Sequence, residues 1–289
     1  MVSNRPAIAK IYQQAIDYGI TTFAASPFPE QLAESHVAEL VQLGDTHPIT
    51  VMPNVSIPLA FKGQSVEVYR RWATVTRAYT ESLNNNSGDS ILETFLADPI
   101  LQFRPNWHDN LTNAFRSNQW YTQTEFSSIQ LVSQEVEAKL SKLAKLPIQE
   151  VEYGSELDFL FATGRIDLVG ELFDLAQSAG YDVAFGLHHA GLSLPKIREV
   201  SSQVKSILIP INLLGVMMFP SQEISVSEIK KTRDKYRIIG IKCLAGGRVP
   251  PTQAFEYIHG KVDDFMVGVA SISELTEAFN AAQHAELMI

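Results

Sequence analysis

Residues 238–251 read IIGIKCLAGGRVPP. The first four residues form an apolar β-type run, Lys242 and Cys243 stand at its end, and Gly246 and Gly247 make a turn. Pro250, Pro251 and Thr252 then mark a helix start, because proline at the first helical position loses no hydrogen bond. The stretch is one strand–turn–helix unit, and the fold depends on how often that unit recurs.

It recurs on both sides. Downstream lie a helix around Pro251–His259, a strand DFMVGVAS (264–271) and a helix ISELTEAFNAAQHAEL (272–287). Upstream lie a helix around Val226–Tyr236, a strand KSILIPINL (205–213), a helix around Leu194–Ser202 and a strand DVAFGLHHAG (182–191). Before these, Ile166, Val169, Leu172, Phe173 and Ala176 recur at helical spacing, with Gly180 as the stop. SELDFLFAT (155–163) reads as an earlier strand, preceded by a helix SQEVEAKLSKLAK (133–145). Near the N-terminus, helix RPAIAKIYQQAIDYG leads to strand ITTFAAS, and helix EQLAESHVAELVQLG leads to strand PITVMPNVS.

Strands and helices alternating over short connections imply a parallel sheet with right-handed crossovers. Seven such strands and no glycine-rich dinucleotide fingerprint predict an α/β fold of the (β/α)8 TIM-barrel type, with the first strand unlocated. The chain is read as a single domain over 1–289. Residues 58–131 break the rhythm, hold all three tryptophans (Trp72, Trp107, Trp120), and are expected to form an insertion or lid after the third strand.

The composition narrows the partners. With 23 Lys and Arg against 32 Asp and Glu, the formal net charge is -9 and the basic residues are scattered. That excludes the basic footprint of a nucleic-acid binder. The longest apolar stretch, SILIPINLLGVMMFP, is broken by Pro210, Asn212 and Gly215, so no membrane span is expected. One cysteine cannot form an internal disulfide, and no secretory run opens the chain, so the expected location is cytoplasmic.

Functional side chains of a parallel barrel gather at the C-terminal ends of its strands. Those ends carry Ser26, Asn54, Thr163, His188, His189, Asn212, Lys242, Cys243 and Arg248. Alternation sends one of His188 and His189 toward the mouth, where an imidazole suits acid/base work, and the other toward the helices. A lysine on an apolar strand is costly to bury alone, so Lys242 reaches the mouth as an anion contact or Schiff-base amine, or else forms a structural ion pair. Cys243 then faces the helical layer as a small hydrophobe. Gly246, Gly247 and Arg248 form a candidate clamp for a phosphate or carboxylate, and Ser26, Asn54 and Asn212 are candidate substrate-orienting groups. The seven histidines show no HxH or HExxH spacing, and no metal site is predicted.

The order of elements and four local phrases resemble the aldo-keto reductases: YGITTFAASPFPEQLAESHVAELV, VSQEVEAKLSKLAKLP, RIIGIKCLAGGRV and DFMVGVASISELTEAF. The resemblance implies a barrel that binds NADPH and reduces carbonyls through an Asp, a Tyr, a Lys and a His at its mouth. Carried over position by position, it sets Ala24 in place of the Asp and Pro53 and Asn54 in place of the Lys. Ala162 and Thr163 fall in place of the His, and no tyrosine stands in SPFPE. On the cofactor side, Ala270 falls where a basic residue holds the NADP phosphate, Ala278 where an Asn stands, and Ile241 near the aromatic that stacks on the nicotinamide. Gly268, Ser271 and Leu275 keep the pattern. No NAD(P)H-binding residue is therefore assigned.

Three readings follow. The first is an aldo-keto-reductase-like barrel enzyme without the tetrad, acting by acid/base chemistry on a small polar or anionic metabolite, with His188, His189 and Lys242 as catalytic groups. The second is a divergent NAD(P)H-dependent oxidoreductase. The third is a non-catalytic barrel that binds a ligand or partner through the insertion.

Overall fold

A computed structural model gives the fold, and residues 5–25, 30–82, 88–200 and 203–285 are described. The strands in chain order are β1 (Thr22–Ala25), β2 (Thr50–Val55), β3 (Leu59–Phe61), β4 (Gln64–Ser65) and β5 (Ile129–Leu131). They are followed by β6 (Glu150–Tyr153), β7 (Asp182–Gly186), β8 (Val204–Pro210), β9 (Arg237–Ile241) and β10 (Asp264–Phe265). Seven of them form one curled parallel sheet in the order β1-β2-β6-β7-β8-β9-β10, with helices between successive strands. Among the described residues no further strand joins this sheet. The first helix and the last meet at its two ends, where Tyr18 stacks on Phe279 with centroids 4.2 Å apart and its hydroxyl bonds Thr276 Oγ1 at 2.9 Å.

Alternation along each strand divides the apolar residues into two layers. Met52, Ala184, Leu208 and Ile239 face one another inside the curl, with Ile241 and Met266 packed against them. Their neighbours Val151, Val183, Phe185, Ile207, Ile209 and Ile238 face the helices in the main core.

One element differs from the sequence expectation. SELDFLFAT is not a strand: Glu156–Thr163 is a helix, closed by Gly164 in the left-handed conformation at φ 69°. Its Leu157, Phe159, Leu160 and Phe161 are all buried, and a short apolar run covered on every side carries no period that separates helix from strand. The strand expected there is β6, EVEY, which pairs with β2 and β7. Glu150 and Glu152 disguise it, because their side chains share the inner face with Ala184 and Met52.

Residues 59–131 form a small antiparallel sheet, β4-β3-β5, and the helices Val68–Ser82, Gly88–Ala97, Trp107–Arg116 and Gln123–Phe126. Their aromatic residues continue the barrel's own core. Trp72 meets Trp107 edge to face at 5.0 Å and Phe95 at 5.2 Å, and Trp107 Nε1 donates to the Phe95 carbonyl at 3.0 Å. Each ring buried at such a junction contributes on the order of 2–3 kcal/mol. Polar ties complete the attachment. Tyr79 Oη donates to the Phe219 carbonyl at 3.2 Å, and the Met217 amide donates to Asp98 Oδ2 at 2.7 Å. The insertion thus packs over the C-terminal ends of β7 and β8.

Candidate active site

β7 ends at Gly186, and the chain passes through Leu187, His188 and His189 into the helix Ala190–Val200. Asp158 holds this corner. Its carboxylate accepts the His188 amide at 2.8 Å, the His189 amide at 3.3 Å and Ser193 Oγ at 2.6 Å. Burial pushes Asp158 up to about 7 against the pull of those three donors, with Glu156 adding to the rise.

The two histidines part company beyond that shared anchor. His189 is buried at 3% exposure, stacked on Phe219 at 5.2 Å and edged by Trp72, Phe95 and Tyr79. Its Nδ1 has no partner, and burial drives its protonation well below the usual histidine range. His188 is half-buried and stands nearer the charges: burial, then Lys242, then Arg104 push it down to about 3. Both imidazoles are neutral near pH 7.

A cavity of about 50 Å³ opens between these histidines and the insertion. Asp158, His188 and His189 form its barrel wall, with Ser155 and Phe159 from the turn and helix after β6. Arg71, Trp72 and Val75, one face of the helix Val68–Ser82, form the opposite wall, and Arg104 and Met217 close the ends. Arg71 Nη1 pairs with Glu156 Oε1 at 3.0 Å. The Arg104 guanidinium lies 5.6 Å from the Trp72 ring centre and 5.4 Å from that of Trp107. Burial and the charge of Arg71 lower its pKa.

Glu152 lies on the inner face of β6. It is matched to Asn54 across the β2–β6 ladder and to Ala184 across the β6–β7 ladder. Burial pushes its carboxyl up to about 7, opposed by a hydrogen bond from Asn54 and by the charge of Lys242. A carboxyl held near neutrality next to an amide and an ammonium can exchange protons at physiological pH. Sequence reasoning missed it because β6 was taken for a connection. The signal was present in the alternation E-V-E-Y.

The other expected site residues fall as follows. Lys242 is exposed at φ 56°, just past β9, and acts on both Glu152 and His188. Cys243 is fully buried against the helices, with its thiol pushed up to about 12. Ser26 lies outside the described residues.

Three of the expected residues are engaged by the protein itself. Arg248 Nη1 donates to the Ala245 carbonyl at 3.1 Å and Nη2 to the Pro99 carbonyl at 3.2 Å. Its fork is occupied in tying the turn to the insertion. Gly246 and Gly247 therefore serve that turn, at φ 68° and 82°. Asn212 is buried, its Oδ1 accepting the Val216 amide at 2.9 Å and its Nδ2 donating to the Val216 carbonyl at 2.8 Å. Thr163 lies at the far end of a helix, where its hydroxyl bonds the Phe159 carbonyl.

Comparison with known proteins bears on this geometry through structure alone. No family model matches the chain, and no curated protein does. Among solved structures, aldo-keto reductase AKR11C1 from Bacillus halodurans, in its holo form, matches with a TM-score of 0.56 at 11% identity, over 99% of this chain and 88% of that one. The chain has an aldo-keto-reductase-like fold. The glycerol dehydrogenase AKR11B4 from Gluconobacter oxydans also matches, with a TM-score of 0.38 at 11% identity, over 84% of this chain and 55% of that one.

An aldo-keto-reductase-like barrel invites a test for NADPH at the turn after β10. There the Ala270 amide donates to Glu274 Oε2 at 2.7 Å, while Ser271 Oγ caps the helix Ile272–His284 by accepting the Glu274 amide at 3.1 Å. A carboxylate therefore occupies the helix start where a phosphate would need bare amides. No lysine or arginine follows Lys261 in the sequence. These residues do not fit a nucleotide phosphate. Among the described residues, no cluster of three or more His, Cys, Asp or Glu could hold a metal ion, and no helix is long and apolar enough to cross a membrane.

Proposed function

We propose that this chain is a small-molecule enzyme on an aldo-keto-reductase-like barrel, working by acid/base chemistry at Glu152 on a small polar or anionic metabolite, without the reductase tetrad. The observation that carries this reading is the placement of Glu152 on the inner face of β6, opposite Asn54 on β2 and under the charge of Lys242. Glu152 moves the proton, while Lys242 and Asn54 stabilise the negative charge that develops on the substrate. Neutral His188 orients a polar group from the other side.

The strand ends support the absence of the tetrad. Ala24 on β1 and Asn54 on β2 stand where the resemblance expects Asp and Lys. With the fourth strand placed at β6, its end is Tyr153-Gly154, which offers no histidine either. The position of the missing Tyr falls within 26–29, outside the described residues.

The test is a panel of small carbonyl and hydroxy compounds incubated with the protein in D2O, with and without NADPH, and followed by NMR. Cofactor-independent conversion or deuterium uptake that disappears in Glu152→Gln supports the proposal. NADPH-dependent reduction that persists in Glu152→Gln replaces it with the oxidoreductase reading.

A further inference from the structure

The cavity beneath the insertion has a charge pattern that the acid/base reading leaves unused. Of its two arginines, Arg71 is paired with Glu156, and the Arg104 guanidinium has neither an ion pair nor a hydrogen bond among the described residues. The Arg104 guanidinium leans on Trp72 and Trp107 with one side exposed. On the opposite wall, the buried Nδ1 of His189 also lacks a partner. A planar fork and a flat indole wall border a space of about 50 Å³, enough for only a few heavy atoms.

We infer that this cavity is a subsite for one carboxylate group of a small substrate, gripped between Arg104 and Arg71 and laid against Trp72. The inference rests on the preceding functional reading for what happens next to the cavity, and it adds the substrate class. A carboxylate matches the guanidinium fork in shape, and its single charge complements the one arginine left without an ion pair. A phosphate monoester suits the site poorly, since its second charge would face Asp158, which lines the same space, and would compete with Glu156 for Arg71. A carboxylate seated here would extend its remaining carbons past His188 toward Lys242, whose charge acts on both His188 and Glu152. A short 2-oxo or hydroxy acid is the substrate class this predicts.

The test is a titration of the full chain with sodium pyruvate, sodium lactate and inorganic phosphate at constant ionic strength, reading tryptophan fluorescence and heat. Trp72 lines the cavity and reports occupancy directly. The expected result is saturable binding of a carboxylate in preference to phosphate, weakened about ten- to hundredfold by Arg104→Met, the loss expected for a charge-assisted hydrogen-bonded pair. Arg104→Lys should recover only part of it, because the ammonium lacks the fork. Melting curves confirm that each variant is folded. No saturation by either acid at tens of millimolar, equal affinity in folded Arg104→Met, or tighter binding of phosphate overturns the inference. If a carboxylate binds as expected and no deuterium uptake occurs, the subsite stands and the acid/base reading falls. If deuterium uptake occurs and Arg104→Met leaves binding unchanged, the reverse holds.

Discussion

Glu152 on β6 and Gly186 on β7 fit so closely that a Cβ on Gly186 would overlap Glu152 Oε1 and stand 3.1 Å from the Tyr153 carbonyl oxygen. The glycine is required by contact, since its backbone has no left-handed φ. Gly186→Ala should cost about 1–3 kcal/mol as an overpacked site and push the carboxylate out of register with Asn54. Turnover should fall by more than the stability loss explains, which comparing deuterium uptake with the melting temperature will show.

The raised pKa of Glu152 links proton uptake to folding. Its folded value of about 7 lies above the ordinary 4.5, so between those values the folded state holds more protons than the unfolded one. Its contribution to stability is therefore lost as pH rises from about 5 to 7. Glu152→Gln should gain on the wild type over that window, by up to about 3 kcal/mol, and the gain should level off above 7. His188 opposes this trend: its folded value of about 3 lies below 6.5, so it costs stability as pH falls through 6.5. Urea unfolding of both proteins at several pH values checks the sign.

Asp158→Asn should be among the most damaging single changes. It replaces an acceptor of two amides and a hydroxyl with a group that must turn a donor toward one of them. A loss of roughly 2–4 kcal/mol is expected, with hydrogen exchange rising at the amides of His188 and His189. Asp158→Glu should fail as well, since the helix Glu156–Thr163 leaves no room for an extra methylene.

Asn212→Ala separates architecture from binding. Both polar groups of Val216 lose their partner, which should cost roughly 2–3 kcal/mol. Carboxylate titration of the folded variant should match the wild type.

Cys243 should resist a thiol reagent at pH 8 in the native protein and react readily in denaturant. Burial removes access and holds the thiol protonated up to about 12. Rapid modification of the native state would contradict this placement.

Much of the fold was legible because βα units declare themselves through period. The helix Glu30–Gly44 and the strands β7, β8 and β9 stand within a few residues of where apolar spacing and glycine stops set them. β6 was hidden because its inward positions are glutamates, whereas the next apolar run looked like a strand and belongs to a buried helix. The candidate site was legible only in part. His188 and Lys242 could be found from strand ends, but the opposite wall comes from Arg71 and Arg104, far earlier in the chain than either. No local spacing predicts which face of an insertion turns toward the barrel. Arg248 and Asn212 show that a polar residue at a strand end serves loop geometry as readily as a ligand, since their hydrogen bonds go to neighbouring carbonyls and amides.

The ties between insertion and barrel bear on kinetics. The wall carrying Arg71 and Trp72 is pinned by the Tyr79 and Asp98 hydrogen bonds and by interlocked rings, so opening it would break buried structure. Arg104 is the exposed part of the enclosure, and it moves by turning about its own side-chain bonds, in picoseconds to nanoseconds. Occupancy of the cavity should therefore equilibrate far faster than a domain closes, and bound and free acids should give a single averaged NMR signal.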